Sequence, residues 1–130
     1  MKNKFIIIVS VLLSFLMSKT VELELAQRVA GNIFAERSNS GTLKDFNVKS
    51  VEILEQDFEK LIYIFHLDPK GFVLVPSDDR VTPMLAYSFE NEFVTDQMNS
   101  NIAWMIDAYK VMVKKTIDMD ESATERINAQ

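Results

Sequence analysis

One histidine, no cysteine and a few neighbouring carboxylates are what this 130-residue chain offers to catalysis. His66 lies between Phe65 and Leu67 in an apolar run. A general base needs a nucleophile or an orienting carboxylate within hydrogen-bond reach, and the flanking sequence supplies neither. The ordinary reading is a strand histidine satisfied by a neighbour. Asp78-Asp79 could pose as paired carboxylates, but adjacent residues of a Ser77-Asp78-Asp79-Arg80 turn point apart and cap the turn instead. Asp118-Met119-Asp120-Glu121 lacks the spacing and the turn glycine of a calcium loop, and reads as a solvated tail. Gly31, Gly41 and Gly71 are too scattered to cradle a phosphate. The absence of cysteine removes thiol nucleophiles, thiolate metal sites and disulfides together. These residues predict a non-enzyme without a cofactor. Binding residues are then the question. Trp104 falls to one side of an apolar helical face, where it either laps over the core margin or anchors an interface. Asn101, at the start of the same helix, either caps it or is presented to a partner.

The elements that must position these residues follow from patterning. Val21, Leu25, Val29, Ile33 and Phe34 recur at helical spacing, with Ala26 and Ala30 beside them, and predict an amphipathic helix over 21–37. Ser38-Asn39-Ser40-Gly41 ends it. Phe46 to Leu54, rich in β-branched residues, predicts a strand, and Gln56 to Lys60 a polar turn. Leu61 to Leu67 is nearly all apolar, as a central strand covered on at least one face would be. Asp68-Pro69-Lys70-Gly71 is a tight turn, and Phe72 to Val75 returns antiparallel. Pro76 cannot donate to a ladder and marks a strand end or an edge. Met84 to Ser88 predicts a further short strand. From Asn101 onward, Ile102, Met105, Ile106, Tyr109, Met112, Val113 and Ile117 trace one helical face. Asn99, Ser100 and Asn101 are all capable N-caps, Lys114 and Lys115 would oppose the dipole, and Asp118 to Gln130 reads as a frayed tail. This order predicts one α+β domain: an antiparallel sheet of about four strands with an N-terminal and a C-terminal helix packed on one face.

The first residues are read separately. Lys2 and Lys4 precede an apolar run from Phe5 to Met17, broken only by Ser10 and Ser14. Thirteen helical residues cover about 20 Å, short of the roughly 30 Å of a bilayer core. Residues 1–18 are therefore expected to be a signal peptide, with Leu16-Met17-Ser18 before the cleavage point, and 19–130 the functional domain. An uncleaved anchor serving an envelope adaptor is the alternative. No cysteine follows the run, so a lipoprotein anchor is ruled out. Without Lys2 and Lys4, 12 basic residues face 19 acidic ones, a formal charge of −7. Such a surface opposes nucleic-acid binding, which draws on Lys and Arg at phosphates. A secreted or periplasmic protein with no nucleic-acid partner and no stable membrane anchor is expected.

Leu61 to Lys115 resembles the prodomain of streptopain-type cysteine peptidases, and the free-standing inhibitors that are similar to those propeptides. The matching residues are Tyr63, Phe65, Gly71, Phe72, Val73, Val75, Asp78, Arg80, Pro83, Leu85, Tyr87 and Ser88, continuing through Phe93 to Asn101-Ile102-Ala103 and Tyr109. Lys70 departs from the pattern where the family often has a second glycine, and the Phe93–Asn101 loop is one residue longer than in streptopain. The resemblance implies a four-stranded antiparallel sheet with helices packed on it, and a streptopain-like cysteine peptidase as partner. It also implies a mechanism in which a prodomain asparagine displaces the catalytic histidine from the cysteine. The position matching that asparagine is Asn101, with Met98, Asn99, Ser100 and Trp104 as its flanking contacts. Gly71, Phe72, Val73, Asp78, Arg80, Pro83, Tyr87 and Ser88 would be the structural part of the motif. An inhibitor acting in trans is the expected function. A folding assistant, or the remnant of a split zymogen, is the alternative within the same family.

Overall fold

β1 (Val48–Gln56), β2 (Glu59–Leu67), β3 (Phe72–Pro76) and β4 (Ala86–Ser88) form one antiparallel sheet in the order β1-β2-β3-β4. Helix α1 (Leu23–Arg37) precedes the sheet and helix α2 (Ser100–Asn128) follows it, with short 3-10 turns at Leu43–Asp45 and Thr95–Gln97. This computed structural model describes residues 21–39 and 42–128, so the expected signal peptide at 1–18 lies outside the described residues. The α+β class and the four strands are as the sequence predicts.

The placement of the helices is not. They cover opposite faces of the sheet rather than one. Tyr63, Phe65 and Leu67 of β2 pack with Ala26 and Ala30 of α1, whereas Ile62 and Ile64 pack with Ile106 and Val113 of α2. The cause lies in β2 itself, where Leu61 through Phe65 are all at most 1% exposed. A strand apolar at consecutive positions needs cover on both sides. The buried stripe of α1 is also rotated from its expected position, since Leu25 is half exposed while Ala26 and Ala30 are fully buried. Those short side chains let the helix close on Tyr63, whose hydroxyl donates to the Val21 carbonyl at 2.8 Å. Burial raises the Tyr63 phenol above its ordinary pKa, with Glu22 adding to the effect.

Two turns hold the sheet in register. Asp57 and Phe58 join β1 to β2 with φ of 52° and 65°, between the paired residues Gln56 and Glu59. Two consecutive positive φ values are the signature of a two-residue hairpin turn that usually takes Asn-Gly. Phe58 pays the left-handed cost with its ring fully exposed. Phe58→Gly is therefore expected to stabilise the fold by about 1 kcal/mol, measured as a rise in Tm. A fall in Tm would show that the ring is packed in solution. At the next turn, Leu67 donates to the Gly71 carbonyl at 2.9 Å, and the Asp68–Pro69 peptide is cis. Gly71 has φ +112°, and a Cβ there would lie 2.7 Å from the Ser88 carbonyl oxygen. Only glycine lets β4 pass so close.

Helix α2 continues to Asn128, through most of the tail from Asp118 to Gln130 that was expected to fray. Arg80 pairs with Asp120 at 3.0 Å, and Lys114 pairs with Asp118 at 2.7 Å and with Glu59 at 3.1 Å. Lys114 thus sits in mid-helix, bound to carboxylates rather than facing a helix C-terminus. Met112, expected on the buried face, is 41% exposed, while Tyr109 donates to the Leu85 carbonyl at 2.9 Å. Among the described residues no helix is long and apolar enough to cross a membrane.

Candidate functional site

The loop between β4 and α2 begins from a firm base. Phe93 is buried, its ring centroid 5.1 Å from that of Phe72 on β3. The chain then emerges at Val94, which is 45% exposed, and turns through Thr95–Gln97, where the Gln97 N–H donates to the Val94 carbonyl. Met98 is half-buried against the core under α2. Asn99 is the residue that caps the helix: its Oδ1 accepts from the backbone N–H of Asn101 at 3.1 Å and of Ile102 at 3.0 Å. Of the three cap-competent residues, that leaves Ser100 and Asn101 on the first turn of α2, both exposed.

Trp104 is 74% exposed, too far for a ring lapping the core margin. It lies one turn along from Asn101 on the same helical face, which continues at three-and-four spacing through Ala108 and Val111. Val111 is 65% exposed, opposite the buried Ile106 and Val113. It drew no attention in the sequence, although it falls out of phase with the buried series. An apolar residue between two buried-face positions was the available signal.

The turn residues that carry the family resemblance lie in and around the sheet instead. Gly71, Phe72 and Val73 form the β2–β3 turn and the start of β3, with Val73 fully buried. Asp78, 3% exposed, receives the Arg80 guanidinium in a two-pronged contact, Nε at 2.8 Å and an NH2 nitrogen at 2.5 Å. This hydrogen bonding raises the Arg80 pKa further above its usual value. Pro83 is exposed in the link to β4. Tyr87 stacks on Phe89 at 5.0 Å, and the Ser88 hydroxyl accepts from the Glu90 and Asn91 backbone at 3.3 and 3.1 Å.

The groups weighed for catalysis do not assemble an activated nucleophile. His66 has a neighbour that the sequence did not reveal: its Nε2 lies 3.4 Å from Glu52 Oε2. The Thr95 hydroxyl donates to that same oxygen at 2.5 Å, so its proton faces a carboxylate and not the imidazole. Carboxylate oxygens of Glu59, Asp118 and Glu121 come within 4.8 Å of one another. The Lys114 ammonium already serves that cluster, and its pKa is driven upward by the hydrogen bonds it donates to Asp118 and then Glu59.

The described residues thus form a sheet covered on both faces, with one firmly based, exposed loop–helix corner between β4 and α2. The chain belongs to the Spi protease inhibitor family, matching it over residues 18–113. The chain is also 32% identical over 92 residues to the thiol protease/hemagglutinin PrtT of Porphyromonas gingivalis, an alignment covering 65% of this chain and 10% of that protein. It thus spans about a tenth of the length of that relative. No solved structure matches it.

Proposed function

We propose that the protein inhibits a streptopain-like, papain-fold cysteine peptidase by binding without a covalent bond and filling its active site. Asn101 is the plug, Val94 to Ser100 the loop that presents it, and Trp104 a flanking contact. The observation that carries this reading is the division of labour at the corner. Asn99 satisfies the helix N-terminus, so the exposed Asn101 side chain is left out of the cap. A cysteine peptidase depends on an imidazole beside its thiol to hold the thiolate. A carboxamide inserted between the two separates nucleophile from base. Because the plug is a side chain on a helix, it places no peptide bond where the thiol could attack it.

A specific complex of this kind buries roughly 1,200–2,000 Å² in total, more than one asparagine supplies. Trp104 and the face running on to Val111 provide apolar area next to the plug. Trp104→Ala is expected to weaken inhibition about tenfold, as hot-spot aromatics do. The melting temperature should stay within a degree or two, since an exposed side chain contributes little to stability. Inhibition equal to that of the unmodified protein would remove Trp104 from the interface.

Export through residues 1–18 belongs to the same proposal. N-terminal sequencing of the protein recovered outside the cytoplasm should find a start near Lys19, and an intact Met1 would refute it. One observation favours a second role, that of a folding assistant: a similar segment occupies a tenth of a far longer protein named a thiol protease. Refolding yields of the peptidase with and without this protein separate the two. A pure inhibitor leaves the yield unchanged.

A further inference from the structure

We propose that Glu52, on the edge strand β1, is a positioning residue that holds the presenting loop in shape through Thr95. This role rests on the reading of the Asn101 corner as the inhibitory contact. Glu52 and Thr95 lie 43 residues apart, yet the Thr95 hydroxyl donates to Glu52 Oε2 at 2.5 Å. Hydrogen bonds from a hydroxyl to a carboxylate in this range are among the stronger ones proteins make. The carboxylate is itself steered. Glu52 pairs with Ile64 across the sheet, and His66, two residues along the same strand, brings Nε2 to 3.4 Å from the accepting oxygen. The His66 and Glu52 side chains are 19% and 36% exposed, so the contact is partly sheltered.

The grip has two fingers of unequal strength. Lys49, three residues before Glu52, reaches Glu92, three residues before Thr95, at 3.8 Å. Both of those side chains are 59% exposed, and an ion pair in that setting contributes little. Thr95 is half-buried and sits where the loop has already left the sheet. Among the described residues it makes the side-chain hydrogen bond that ties the stretch between Phe93 and Asn99 back to a strand. Without it, Phe93 and the Asn99 cap would fix the two ends of the loop while its middle was free. A loop that must be ordered during binding loses affinity in proportion to the freedom it surrenders.

The test combines amide exchange with inhibition. Thr95→Val removes the donor at equal volume, and Glu52→Met removes the acceptor from the other side. Both should speed exchange at the Gln97 amide, which donates to the Val94 carbonyl, about tenfold while leaving β2 and β3 protected, and Thr95→Ser should restore the slower exchange. Thr95→Val should also weaken inhibition of the peptidase about tenfold. In an Asn101→Ala background the further loss from Thr95→Val should shrink to about twofold, because the loop then has no plug to place. A residue acting by its own contact, or by general stability, would keep its full effect there. Unchanged loop exchange in both single variants overturns the anchor. So does a Thr95→Val loss that persists in full beside Asn101→Ala. If Asn101→Ala by itself leaves inhibition intact, the plug reading fails and the positioning role with it. That result is told apart from failure of the anchor alone by the exchange rates.

Discussion

Asn101→Ala is expected to raise the inhibition constant against the target peptidase about a hundredfold and to leave the fold intact or slightly more stable. The two halves of this expectation have separate causes. Asn101 is the second residue of α2, exposed, and outside the cap that Asn99 makes. Alanine is the better helix former by about half a kcal/mol, so the substitution should raise Tm by a small amount or not at all. The loss of inhibition then reports the removed carboxamide and not unfolding. Asn99→Ala is the informative control. It deletes the cap and should cost about 1 kcal/mol of stability. Inhibition that survives Asn101→Ala unchanged would clear Asn101 of the plugging role.

The largest expected loss of stability comes from Arg80→Met, at about 3 kcal/mol. Asp78 is 3% exposed and receives Arg80 through both guanidinium contacts as well as the Arg80 backbone N–H at 3.0 Å. The same guanidinium reaches Asp120 at 3.0 Å and so fastens the Ser77–Arg80 turn to the far half of α2. Methionine keeps much of the aliphatic stem but takes the guanidinium away from the buried Asp78 carboxylate. Adding Asp78→Asn to Arg80→Met should recover part of the loss, because the stranded charge is then gone. Chemical denaturation of the three proteins measures this, and a loss under about 1 kcal/mol for Arg80→Met would place the pair with ordinary surface contacts.

What the sequence made legible was local. The strands from Leu61 to Ser88 were marked by apolar runs and by turn residues with one structural use each, such as Gly71. The helix over 23–37 was marked by its period, though period alone did not tell whether the Leu25 or the Ala26 stripe faces inward. Which face each helix covers depends on the two-sided burial of β2, a property of the assembled sheet. The stretch of α2 past Asp118 is met at Asp120 by Arg80, far earlier in the chain, and no pattern within the tail records that contact. The N-cap of α2 was narrowed to three adjacent residues and no further. Asn99, Ser100 and Asn101 are chemically equivalent as caps, and backbone geometry chooses Asn99. The Glu52–His66–Thr95 contacts were not legible at all, since each partner looks ordinary until the loop folds back over β1.

The central claim is that this chain blocks a cysteine peptidase by occupying its active site. The most direct test is to titrate the purified domain, residues 19–130, into a streptopain-like peptidase from the same organism and follow hydrolysis of a small peptide substrate. Activity should fall to near zero with a one-to-one end point. It should return on dilution, with the inhibitor recovered uncleaved. Full activity at micromolar inhibitor would contradict the account.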